Sequence, residues 1–240
     1  PITLVSGPFL PDLSVTIITL CFFYISYQKK LYFFYINNFS KAFGLFFFIL
    51  LITSLMSLDP IVSLKKTSVY FRFWIFALAV WYIFNLNKKL INDLIKSFTL
   101  VFIILIVDGY IQFLFKENIF GWPMQGARLS SLFKDELILG SYLSRLLPIF
   151  FGFLIFSNFD KKIYKYVIFF LIFVGVETLT FLSGERVAFF FINASSIMLI
   201  ITMKNYKIFR ISSLIVSFII IIFLINFYPK STERIFDKTF

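Results

Sequence analysis

Apolar runs long enough to cross a bilayer constrain this chain more than any other feature. They fall near residues 11–27, 41–58, 67–84, 94–115, 137–157, 164–182, 187–203 and 211–228. A helix rises about 1.5 Å per residue, so each run spans about 30 Å of hydrocarbon, or nearly does with tilt or bilayer thinning. Inside hydrocarbon the backbone must satisfy its own hydrogen bonds, and helices do this within one segment. The expectation is an all-α integral membrane fold with eight transmembrane helices. Composition agrees: 60% of the 240 residues are hydrophobic and the mean hydropathy is +0.93, more apolar side chain than one soluble core can hide. With no Gly/Ser or Pro linker in view, residues 1–240 read as one transmembrane helical domain.

The net charge of +11 is explained by topology better than by nucleic acid, because the basic residues form small clusters between apolar runs and make no continuous basic face. Alternate loops carry Lys29, Lys30, Lys41, then Lys88, Lys89, Lys96, then Lys161, Lys162, Lys165, then Lys204, Lys207, Arg210, with only Asp93 and Asp160 among them. The positive-inside rule assigns these to the cytoplasm. The other loops dilute nine basic residues with Asp59, Glu117, Asp135, Glu136, Glu185, Glu233 and Asp237, and face outward. Pro1 then lies outside, which suggests a further helix ahead of it. The single cysteine, Cys21, sits inside an apolar run, so neither an internal disulfide nor a Cys metal site is expected.

One stretch interrupts the apolar series. Residues 120–148 bring in Gly121, Pro123, Gly126, Arg128, Lys134, Asp135, Glu136 and Arg145. Against 17 lysines the chain has six arginines, and five of them (Arg72, Arg128, Arg145, Arg186 and Arg234) lie in outward loops or outward halves of helices, against the topological bias. Guanidinium stays charged in a partly dry site and donates two parallel hydrogen bonds to phosphate or carboxylate. Arg128 and Arg186 flank short Gly-containing breaks where backbone can approach a ligand, and are the leading substrate-binding candidates, with Arg145 and Glu185 beside them.

Asp108, Glu177 and Arg72 are secondary candidates. Asp108 falls about two turns from the outer end of the fourth run, and Glu177 about one to two turns from the outer end of the sixth. Arg145 precedes Pro148, where a kink frees backbone carbonyls. An outward polar cavity accounts for these groups; so do interhelical ion pairs among Arg145, Asp108 and Glu177, with Arg72 and Arg186 snorkelling to headgroups. Asp135 and Glu136 read as N-terminal cap and dipole charge for a helix beginning near Leu137. With no His, this sequence holds no Ser-His dyad, imidazole base or HExxH metal site.

Two segments resemble the O-antigen ligase and O-antigen polymerase superfamily. One is Gly126-Ala-Arg128-Leu-Ser-Ser-Leu-Phe133 continuing through Gly140 to Arg145-Leu-Leu-Pro148, and the other is Ser183-Gly184-Glu185-Arg186 at the outer end of a later run; Ser6-Gly7-Pro8-Phe9-Leu10-Pro11-Asp12 looks like the family's N-terminal region. The resemblance implies a multi-helix glycosyltransferase of the bacterial inner (cytoplasmic) membrane, active at the periplasmic face. It implies transfer of a glycan from undecaprenyl pyrophosphate to an acceptor hydroxyl, on lipid A core or on growing O-antigen, without metal or other cofactor. Arg128 and Arg186 are implied to hold the donor pyrophosphate. A His on a large periplasmic loop is implied as the base; that loop is expected beyond Phe240, where this sequence stops, so this piece alone is expected to be inactive. The sequence departs from the family in having Lys134-Asp135-Glu136 where many members carry an Asn-containing turn, and in lacking His. The competing reading from another class is a transporter using Asp108, Arg145 and Glu177 as midplane groups, though no internal repeat supports it.

Overall fold

In a computed structural model, residue 3 and residues 9–126, 128–156, 163–202 and 206–228 are described. The Ser6-Gly7-Pro8 opening, Arg234 and the chain's last residue, Phe240, beyond which the catalytic loop and its His are expected, lie outside the described residues. Among the described residues are eight α-helices: α1 (Phe9–Lys29), α2 (Asn38–Leu55), α3 (Pro60–Leu86), α4 (Leu90–Phe115), α5 (Leu139–Phe156), α6 (Ile163–Leu182), α7 (Arg186–Thr202) and α8 (Lys207–Phe227). Short 3₁₀ turns lie at Tyr32–Tyr35 and Ser131–Phe133, and the only β pairing among the described residues is two isolated bridges, Glu117 with Pro123 and Gln125 with Arg128. Each apolar run coincides with a helix. By length and composition α1 to α4 and α8 suffice to cross a membrane, while α5, α6 and α7 provide shorter apolar stretches, Leu139–Ile155, Tyr166–Leu182 and Arg186–Thr202. The chain is therefore an all-helical, multi-pass membrane protein.

The helices divide into two compact units, Gly7–Leu90 and the part from Ile91 onward. In the first, α3 packs between α1 and α2. Its polar contacts are small and matched, as expected where water is scarce: Ser54 and Thr67 hydroxyls lie 2.6 Å apart, and Thr19 Oγ1 donates to Arg72 O at 3.2 Å. Asn37 caps α2, its side chain accepting from Ser40 N at 2.8 Å, and Pro60 stands in the first turn of α3, where its missing N–H has no helical partner to lose. The core gathers Phe22, Ile75, Leu78, Ala79 and Tyr82.

In the second unit the core is aromatic. Phe102 meets Phe150 edge-on at 5.3 Å, Phe150 meets Phe169 at 5.6 Å, and Phe151 meets Phe173 at 5.4 Å. Two glycines make room for side chains between α4 and α6. A Cβ on Gly109 would come within 2.7 Å of Leu179 Cδ1, and one on Gly175 within 3.0 Å of Ile106 Cδ1. Each glycine seats a branched side chain of the facing helix, and such packing contacts hold helices together where lipid removes the hydrophobic drive.

Candidate functional site

The polar stretch after α4 is tied down from beneath by two side chains one turn apart on that helix. Asp108 accepts from Ile119 N at 2.9 Å and from Ser131 Oγ at 2.6 Å. Gln112 accepts from Ser130 N and Ser131 N at 3.0 and 2.8 Å. Within the loop, Asn118 accepts from Phe120 N and Trp122 N and donates to Ser131 O. Asp108 and Gln112 are fully buried, so these bonds stand where unmet backbone N–H groups would be costly. Asp108 thus holds the loop rather than pairing with an arginine.

This anchoring carries the chain back to α5. Arg128, half-buried, donates from Nη2 to Leu137 O at 3.0 Å, just ahead of the helix. The first-turn amides of α5 are met by a residue distant in sequence: Glu185 accepts from Gly140 N at 2.8 Å, Ser141 N at 3.1 Å and Ser141 Oγ at 2.5 Å. The capping carboxylate is therefore Glu185. Asp135 and Glu136, expected to cap this helix, do not reach it; Asp135 is 3.9 Å from Lys134 Nζ and largely exposed, and the chain passes through further residues before α5 starts at Leu139, not Leu137.

Local geometry explains how Glu185 gets there. Gly184 takes φ +71°, a left-handed conformation that lets α6 stop at Leu182 and α7 start at Arg186. Buried Ser183 donates to Thr180 O at 2.8 Å. Gly140 lies against this turn: an added Cβ would collide with Ser183 Oγ and stand 3.2 Å from Glu185 Cβ and Oε1. The start of α5 and the α6–α7 turn, far apart in sequence, are thereby brought together. Arg186, half-buried, opens α7 next to Glu185. Arg145 is exposed on α5, one turn after Ser141 and so on the same helix face. Arg128, Arg145 and Arg186 lie on these elements with the carboxylates of Asp135, Glu136 and Glu185, of which Glu185 is bound to helix amides.

The secondary candidates go elsewhere. Arg72, in the first unit, bonds both Asp12 oxygens, the Nη1 bond at 2.9 Å, and its guanidinium lies 5.1 Å from the Phe73 ring centroid. Glu177 is an interhelical ion-pair partner, as one reading of the sequence held, but with Arg210 instead of Arg145. Arg210, assigned from charge pattern to a cytoplasmic loop, is a buried residue of α8. It bonds Glu177 and Ser196, donates from Nη1 to Ser213 Oγ at 3.0 Å, and lies over Phe173 at 4.6 Å. Ser217 Oγ completes the cluster, donating to Glu177 Oε2 at 2.6 Å. Charge counting missed this group, yet a signal was present: Arg210, Ser213 and Ser217 recur at helical spacing along one face.

No family model, curated protein or solved structure matches this chain.

Proposed function

We propose that the chain is an O-antigen ligase- or polymerase-like glycosyltransferase that holds an undecaprenyl-pyrophosphate-linked glycan at the outer end of α5. The observation that carries the reading is that both arginine-bearing segments fasten to the start of α5: Arg128 on Leu137 O, and Glu185, neighbour of Arg186, on the Gly140 and Ser141 amides. In the reaction an acceptor hydroxyl oxygen bonds to the anomeric carbon, the bond from that carbon to the pyrophosphate oxygen breaks, and its electron pair leaves with undecaprenyl pyrophosphate. The hydroxyl proton passes to a base, which the resemblance puts on a His beyond Phe240, outside this sequence. Charge develops on the leaving oxygen, and fixed guanidinium groups in a poorly hydrated site stabilise it. Glu185 is a positioning residue, fastening the α6–α7 turn to α5 and so holding Arg186 near the Arg128 loop. The acceptor is lipid A core or another lipid-linked glycan.

In this reading all eight helices cross the inner membrane, the shorter apolar stretches Leu139–Ile155, Tyr166–Leu182 and Arg186–Thr202 through local thinning, and the loop at 116–138 is periplasmic. The Lys-rich alternate loops support that orientation. A transporter needs Asp108, Arg145 and Glu177 to converge, whereas Asp108 bonds the loop, Glu177 bonds Arg210 and Arg145 is exposed on α5.

The test uses the complete protein in membranes. Arg128 and Arg186 are each replaced by Ala and by Lys, and transfer of lipid-linked glycan is followed. Loss of one bidentate charge contact is expected to lower transfer about 10²–10³-fold in the Ala variants, as for removal of an oxyanion donor. Lys is expected to retain much less activity than Arg. Full activity in both Ala variants refutes the assignment.

A further inference from the structure

The first unit carries a feature that glycan transfer does not use. Where α2 starts against the C-terminal half of α3, Asn37, Phe39, Ala77, Leu78 and Trp81 line a cavity of about 420 Å³. Ligand clefts run from roughly 300 to 1,000 Å³. Its walls are apolar apart from Asn37, and that side chain is already engaged, donating to Phe34 O at 2.6 Å and accepting from Ser40 N at 2.8 Å. Leu78 forms the buried floor, while Phe39 and Trp81 are 50% and 40% exposed at the rim. The opening thus accepts hydrocarbon.

Charge around the cavity is one-sided. The end of α1, the start of α2 and the end of α3 meet here: Lys29 Nζ donates to Tyr82 Oη at 3.3 Å, and Phe34 packs edge-on against Trp81 and Tyr82 at 5.0 and 5.5 Å. This end carries exposed Lys29, Lys30, Lys88 and Lys89, with Lys41 a turn further along α2, and, among the described residues of the unit, no carboxylate; Asp93, four residues beyond Lys89, is 3.3 Å from Lys96 Nζ. The unit's two acidic residues, Asp12 and Asp59, stand at the opposite ends of α1 and α3. Trp and Tyr at a helix end beside lysines are the signature of a headgroup interface, and juxtamembrane lysines attract anionic lipid.

We propose that this end of the first unit binds an anionic phospholipid, with one acyl chain in the Phe39–Ala77–Trp81 cavity and the phosphate at Lys88 and Lys89, just beyond the end of α3. A zwitterionic lipid brings its own cation beside the phosphate and so offers the lysines no net negative charge, and a soluble phosphate leaves the apolar cavity unfilled. The two halves of the site therefore select one amphiphile.

The experiment places the full chain in phosphatidylcholine nanodiscs containing small fractions of brominated-chain phosphatidylglycerol, or of brominated-chain phosphatidylcholine as control. The Trp81 signal is taken as wild-type fluorescence minus that of Trp81→Phe. Brominated phosphatidylglycerol is expected to quench this signal at much lower mole fraction than the control. Ala77→Phe, which fills the cavity, is expected to abolish the difference. Replacing Lys88 and Lys89 by Gln is expected to reduce it by roughly fivefold per lysine. Excess glycerol phosphate is expected not to restore fluorescence. Equal quenching by the two lipids, an unaltered difference in the lysine variants, or full competition by glycerol phosphate overturns the proposal. If Ala77→Phe does not fold, the exposed-lysine variants and the competition decide it alone.

Discussion

Removing one partner of the Glu177–Arg210 pair is expected to be among the most damaging single changes to the second unit. Both side chains are almost fully buried, at 4% and 1% exposure. Arg210→Met keeps most of the side-chain volume but leaves the Glu177 carboxylate with only hydroxyl partners, Ser217 at 2.6 Å and Ser196 at 3.5 Å. Breaking a buried pair by deleting one member costs about 3–5 kcal/mol, and the lost stacking of guanidinium on Phe173 adds up to about 2 kcal/mol. The double variant Glu177→Gln/Arg210→Met removes both charges, and is expected to recover about 2 kcal/mol or more relative to the sum of the single changes, since a neutral buried pair carries no stranded ion. Stability is read from unfolding in mixed detergent micelles with increasing SDS, followed by tryptophan fluorescence, for wild type, both single variants and the double. If the two single costs add to the double within about 0.5 kcal/mol, the side chains are not coupled and the argument fails.

Gly140→Ala is expected to push the start of α5 away from the α6–α7 turn, costing about 1–3 kcal/mol and lowering transfer with it, measured by the same unfolding assay and by glycan transfer in membranes. Gln112→Leu strands the Ser130 and Ser131 amides at about 1–3 kcal/mol each; limited proteolysis should then cut between residues 116 and 138 faster than in wild type. Arg72→Gln is expected to change stability by no more than about 1 kcal/mol, because Asp12 is 55% exposed, and a larger loss in SDS unfolding contradicts that reading.

Some of the site was legible from residue types and spacing. Arg128 and Arg186 stood out as arginines against a lysine-rich background, and the glycines around them marked breaks; that the turn at Gly184 packs on Gly140, in the first turn of α5, was not legible. The roles of the carboxylates were not legible. Asp135 and Glu136 lay at the right sequence distance to cap α5, but a turn at Lys134 and Asp135 is followed by residues 136–138, which lead into the helix without regular structure, and Glu185 takes the amides from across the fold. Likewise Arg210 looked like an ordinary cytoplasmic charge because charge counting ignores how far one helix is displaced along another.

What the sequence determined by itself is the helical, membrane-spanning character of the chain, since a run of apolar side chains in hydrocarbon has one local way to satisfy its backbone, and hydropathy reports it directly. Tertiary structure alone decided which polar groups meet. Glu177 pairs with Arg210 because α6 and α8 pack side by side with the later turns of one level with the opening turns of the other, and Glu185 caps α5 because Gly184 turns the chain back onto Gly140. Both depend on axial offsets between helices, a non-local quantity that no window of residues encodes.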